Sequence, residues 1–142
     1  MEDSIRAILE AFGLLSEFMS SQEYPQSIWS IEISPTEGST AFSRPLVISR
    51  EGNIVRLTHY VMSTYDIEYD PLMEFAVGID GCWVPISVFR HWSGLKFINK
   101  DIPVDEATAL ATQWATSLLE NGYNNPDLAC VSRKSDLPIA KL

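Results

Sequence analysis

The chain has little of what would announce an enzyme or a metalloprotein. Its 142 residues include only 7 glycines, none grouped, so no glycine loop is available to cradle a phosphate. HExxH, GxSxG, EF-hand and zinc spacings are missing as well. Of the 2 cysteines, Cys82 lies in an apolar run and Cys130 in a polar tail. Neither has a CxxC partner or a His companion, which argues against a disulfide framework or a zinc site and leaves two reduced thiols. No apolar run approaches the ~20 residues needed to cross a bilayer. Met1 to Ile5 carry acids where a secretory signal would carry bases, and Glu10 and Glu17 interrupt the apolar residues that follow. A cytoplasmic protein is expected.

Basic residues are also scarce. The formal net charge is −9. Lys and Arg are missing from Leu57 to Phe89, a stretch that holds Asp66, Glu68, Asp70, Glu74 and Asp80. They are missing again from Ala7 to Ser43, which holds Glu10, Glu17, Glu23, Glu32 and Glu37. Such a field repels phosphates, so direct binding of nucleic acid or of an anionic membrane is not expected. It favours a protein partner with a basic surface, or serves solubility alone.

What is present suits one folded domain. At 46% hydrophobic and 20% charged the composition is that of a packed core and not of a disordered chain. Ile5, Ile8, Leu9, Phe12, Leu15 and Met19 recur at helical steps, which predicts a helix over 4–19 ended by Tyr24-Pro25. Alternating runs predict strands at 28–33, 46–49, 54–62, 73–77 and 82–89, with Pro85 marking an edge or a bulge and 95–98 a possible sixth piece. Arg50-Glu51-Gly52-Asn53 and Asp80-Gly81 have hairpin-turn chemistry. Ala107, Leu110, Ala111, Trp114, Leu118 and Leu119 give a second stripe, a helix over 105–120 stopped by Asn121-Gly122. The expected fold is α+β: an antiparallel meander of about five strands, with the two helices on one face. The domain is expected to span 1–122, with 123–142 an extended or mobile tail.

The densest constellation runs from His59 to Phe75, with one histidine, three tyrosines and four carboxylates around a strand connection. A hairpin there brings His59 within reach of the second arm. Asp66, Asp70 and Glu74 are the residue types that hold a hard cation, and His59 with a carboxylate can act as a general base. The same residues have structural readings: Asp66 and Asp70-Pro71 as turn residues, and His59 as a core histidine beside Val55 and Leu57. No cofactor and no bound metal are expected. Trp83, Pro85, Ser87 and Phe89 share one strand face by alternation. Trp83 and Phe89, with Trp92 just beyond, would mark an apolar interface if that face is open.

The segment from His59 resembles an uncharacterised family of short bacterial domains carried on conjugative plasmids, integrative elements and phages. The family pattern is His-Tyr-Tyr-Glu-Gln-Asn-Gly-Asp, three residues, then Asp-Pro-x-Met-Glu. It aligns without gaps on His59, Tyr60, Asp66, Asp70, Pro71, Met73 and Glu74, with Thr64-Tyr65 in place of Asn-Gly. The resemblance runs over about 45–123, with Gln113-Trp114 and Leu118 to Gly122 similar to the family's Gln-Trp and closing Leu-x-x-x-Gly. It implies a mobile-element accessory protein, of a kind that often sits among anti-defence genes. The expected function is non-enzymatic protein binding, in its sharpest form acidic inhibition of a host defence complex. The candidate surface is Asp66, Glu68, Asp70, Glu74, Asp80, Trp83, Phe89 and Trp92. The alternatives are a small metal-dependent or hydrolytic enzyme centred on His59, Asp66, Asp70 and Glu74, and an immunity protein for a basic toxin.

Overall fold

A computed structural model describes residues 1–21 and 28–133. Glu23, the expected stop at Tyr24-Pro25, and residues 134–142 lie outside the described residues. The order is α1 (Glu2–Ala11), α2 (Leu15–Ser20), β1 (Trp29–Pro35), β2 (Leu46–Glu51), β3 (Ile54–Met62), β4 (Ile67–Val77), β5 (Trp83–Arg90), β6 (Gly94–Phe97), α3 (Val104–Glu120) and β7 (Ala129–Arg133). The strands form one sheet, ordered β6-β5-β4-β3-β2-β1-β7, with every pair antiparallel. The expected meander is present, but with seven strands and not about five. β6 corresponds to the sixth piece read at 95–98, and β7, of five residues, is the strand that alternation did not show.

The expected first helix is two. Gly13 takes φ 72, and its amide and that of Leu14 bond back to the carbonyls of Glu10 and Leu9 at 3.1 and 2.8 Å. This double bond around a left-handed glycine closes α1 and lets α2 restart at a new angle. The second helix is close to expectation, and Gly122 at φ 88 closes it in the same way. The domain does not stop there, as the sequence reading had it. Tyr123 is buried, and β7 pairs with β1 along Pro35 to Ile31. Residues 123–133 thus continue the domain and add an edge strand beside β1.

One sheet face carries Ile31, Ile33, Ile48, Leu57, Met73 and Phe75, all fully or almost fully buried. Ile5, Ile8 and Leu9 of α1 and Ala107, Trp114 and Leu118 of α3 join them in one core cluster. α1 and α3 pack against each other and against this face. Burying these stripes is the main favourable term holding the layers together.

Two register shifts decide which side chains reach which face. On β4 and β5, Glu74 opposes Ser87 but Phe75 opposes Pro85, so Ile86 is the extra residue. The expected bulge at Pro85 is there, and it separates Trp83 and Pro85 from Ser87 and Phe89. On β3 and β4, Thr58 opposes Leu72 while Tyr60 opposes Tyr69. Asp70-Pro71, read from sequence as turn residues, therefore lie inside β4 at this irregularity.

Candidate functional site

His59 falls on the helix face of β3, opposite Leu46 and in line with Leu57 and Val55. Both ring nitrogens are occupied. Nδ1–H donates to the Pro45 carbonyl at 3.0 Å, and Nε2 accepts from the Trp114 indole N–H at 2.9 Å. This pairing fixes a neutral ring with its proton on Nδ1. Burial holds its pKa below the ordinary histidine value, against the opposing pull of the Pro45 carbonyl. A general base needs a free lone pair, and the one on Nε2 already holds α3 to the sheet.

The carboxylates do not converge on His59. Asp66 lies in the β3–β4 turn, where its Oδ1 accepts from the Ile67 amide at 2.8 Å. Asp80 lies in the β4–β5 turn, where its Oδ1 accepts from the Cys82 amide at 3.0 Å. That bond holds the Asp80 carboxyl below its usual value, and the same carboxylate pushes the Cys82 thiol up. The two turns close opposite ends of an 11-residue strand, roughly 35 Å apart at ~3.3 Å per residue. Between them Asp70 pairs with Arg90 at 2.5 Å, and Glu68 stands 3.5 Å from the exposed His91. Glu74 accepts from Arg56 Nε at 2.8 Å and from the Ser87 hydroxyl at 2.7 Å. Among the described residues no three His, Cys, Asp or Glu side chains come close enough to hold a metal ion.

The aromatic candidates are divided as well. Trp83 packs on the helix side, its ring centroid 5.7 Å from Phe75 and 6.1 Å from Phe18. Its backbone N–H donates to Glu2 at the start of α1. Phe89 lies on the opposite face, against Val47, Leu72, Tyr60 and Tyr69. Trp92 is 76% exposed at the β5–β6 turn, with the Arg90 guanidinium 5.8 Å from its ring centroid. This hairpin, Trp83 to Phe97, carries Arg90 and Lys96 and no acid. The eight candidate residues thus spread over both faces and both ends of the sheet, and Trp83 and Phe89 form no shared patch.

No protein-family model, curated protein or solved structure matches this chain. The His59 segment therefore stands on its own residues.

Three residues have roles that the sequence reading did not give them. Arg50 is buried at the end of β2, donating to the Gly52 carbonyl at 2.9 Å with its guanidinium 4.8 Å from the Phe18 ring centroid. Glu32 is buried on the helix-free face, where it accepts from the Tyr60 hydroxyl. Arg90 neutralises Asp70 and, with Pro71, Leu110, Gln113, Trp114 and Ser117, lines an open cleft of about 630 Å³ beside α3. The sequence offered little signal for Arg50, which stands between Ser49 and Glu51 at the end of the apolar run Leu46 to Ile48.

The exposed acids concentrate on the helices. α1, α2 and α3 together carry seven acidic residues against Arg6 alone. Asp3, Glu10, Asp105, Glu106 and Glu120 among them are exposed. No helix among the described residues is long and apolar enough to cross a membrane.

Proposed function

We propose that this protein is a non-enzymatic binding protein whose acidic helical layer docks on a basic surface of a protein partner. The observation that carries the reading is where the acids sit. Glu2, Asp3, Asp105 and Glu106 occupy first turns, where negative charge favours the helix. Glu10 and Glu120 occupy last turns that hold no base, where the same dipole disfavours them by about 0.3–1 kcal/mol each. Helix stability does not ask for them there; complementarity to a cationic surface does. The engagement of His59 by Trp114 and Pro45 supports a structural and not a catalytic role for that ring. In its sharper form the reading is an acidic inhibitor that lies where nucleic acid would lie in a basic groove of a defence complex.

The test is affinity capture from a bacterial lysate, read by mass spectrometry, with wild type and a Glu106→Lys/Glu120→Lys variant side by side. A genuine partner is captured at low salt, lost in about 1 M salt where screening acts within ~3 Å, and lost with the variant. The variant keeps its melting temperature because both sites are exposed and the helix-dipole loss at Glu106 offsets the gain at Glu120. Partners that persist with the variant and in high salt refute the acidic docking surface.

A further inference from the structure

His59 joins three parts of the molecule that are far apart in sequence. From the loop before β2, the Pro45 carbonyl accepts its Nδ1–H; from α3, the Trp114 indole donates to its Nε2. The Tyr123 ring after α3 lies 5.5 Å from it, centroid to centroid, and stacks in turn on Phe42 at 3.8 Å. The Tyr123 hydroxyl donates to the Arg44 carbonyl at 2.6 Å, closing the loop. Among these contacts the Trp114 bond is the one that needs a lone pair on Nε2.

We propose that His59 is a proton-operated latch: a proton on Nε2 sets two N–H donors against each other and releases Trp114, and with it the C-terminal half of α3, from the sheet. A neutral ring accepts the indole proton, and a protonated ring has no acceptor left to offer. The charged groups that act on the ring are Arg44 from the preceding loop, which opposes the added charge, and Asp70 from β4, which favours it. Asp70 is already bonded to Arg90, so no carboxylate stands ready to take the place of Trp114. The cost of mismatching two buried donors is therefore met by moving the indole away. Trp114 also lines the 630 Å³ cleft with Leu110, Gln113 and Ser117, so its release changes the shape of that cleft. The latch makes the α3 surface pH-dependent and does not depend on which partner uses that surface.

The experiment follows near-UV and far-UV circular dichroism of the full chain from pH 8 to pH 5, for wild type, His59→Gln and His91→Gln. Glutamine can donate to Pro45 and accept from Trp114 but cannot take up the proton. We expect the wild type and His91→Gln to lose near-UV signal below pH 6.5 with the far-UV signal kept, and His59→Gln to stay flat. A wild type that stays flat to pH 5, or a His59→Gln variant that follows the wild type, overturns the proposal. If His59→Gln does not fold, NMR titration of the two imidazoles in Trp114→Phe gives a second reading. Removing the indole donor should raise the proton affinity of His59 about tenfold, one pH unit, with His91 unmoved. An unshifted His59 overturns the latch.

Discussion

Replacing Gly122 by alanine tests how the end of α3 is joined to β7. Gly122 and Gly13 both close helices with left-handed φ, 88 and 72 respectively. Alanine in that conformation costs ~1–2 kcal/mol. A stiffer unfolded chain returns ~0.4–1 kcal/mol. Gly13→Ala should therefore lose about 1 kcal/mol and no more, because nothing lies within 4 Å of the added methyl. At Gly122 the methyl would sit 2.8 Å from Leu128 Cδ1. Leu128 is held by the chain on either side, its carbonyl accepting from the Thr36 amide at 2.9 Å and its amide donating to Asn125. Forcing its side chain aside adds about 1 kcal/mol of overpacking, for a total near 2 kcal/mol. Urea unfolding followed by tryptophan fluorescence measures both, with an unchanged m-value as the check that the unfolded state is the same. In a Gly122→Ala/Leu128→Ala cycle, the coupling should be about 1 kcal/mol. Equal losses at the two glycines, or no coupling to Leu128, would refute the packing of residues 123–133 on α3.

Other outcomes follow from the same geometry. Trp114→Ala should cost roughly 3–5 kcal/mol in urea unfolding, since the ring is 7% exposed and the change also strands His59 Nε2. Stability should fall on both sides of neutrality. His59 is depressed from 6.5, so its contribution is present above that value and lost as pH drops through it. Burial, then Glu32, raise Tyr60 from 10.0 to about 12, so its contribution is present below 10 and lost as pH rises through that window. Thermal melts at a series of pH values would show both edges, and Tyr60→Phe should shrink the alkaline one without abolishing it, because burial also raises Tyr69 and Tyr123. Glu17 is held at about 2, mainly by its bond to Arg133. Arg133→Ala should raise the Glu17 titration seen by NMR towards 4.5, with little change in melting temperature, because the pair is exposed.

The stripes of α1 and α3 were legible because three- and four-residue recurrence survives any tertiary context that buries one side of a helix. Their stops were legible unevenly. Asn121-Gly122 lies where the stripe ends, but Gly13 lies inside a stripe that reads on through Leu15 and Met19, so the break was invisible to periodicity. The hairpins at Gly52 and Asp80-Gly81 were readable from turn chemistry. The face of each side chain was not. Alternation assumes an unbroken period of two, and one inserted residue at Ile86 sends Trp83 and Phe89 to opposite faces. β7 was missed because Ala129 to Arg133 is a short edge strand whose pairing partner lies on the far side of the domain. The candidate site residues are dispersed for a related reason. Nearness in sequence along β4 was taken for nearness in space, whereas an extended strand sets its two ends as far apart as the chain allows.

The long return to β1 also bears on the order in which the parts become ordered. The turns from β2 to β6 close over a few residues each and need little search. The contact of Arg133 with Glu17 closes a span of 116 residues, and the whole of β1–β7 is of this kind. Closing so long a loop is entropically costly until most of the chain is in place. β7 is therefore the last strand to dock and the first to peel away, an edge that opens while the meander beneath it stays shut. Amide exchange at Val131 should outpace exchange at Leu57, and any event at the chain's C-terminal end would be felt first along β1 and not at the helices.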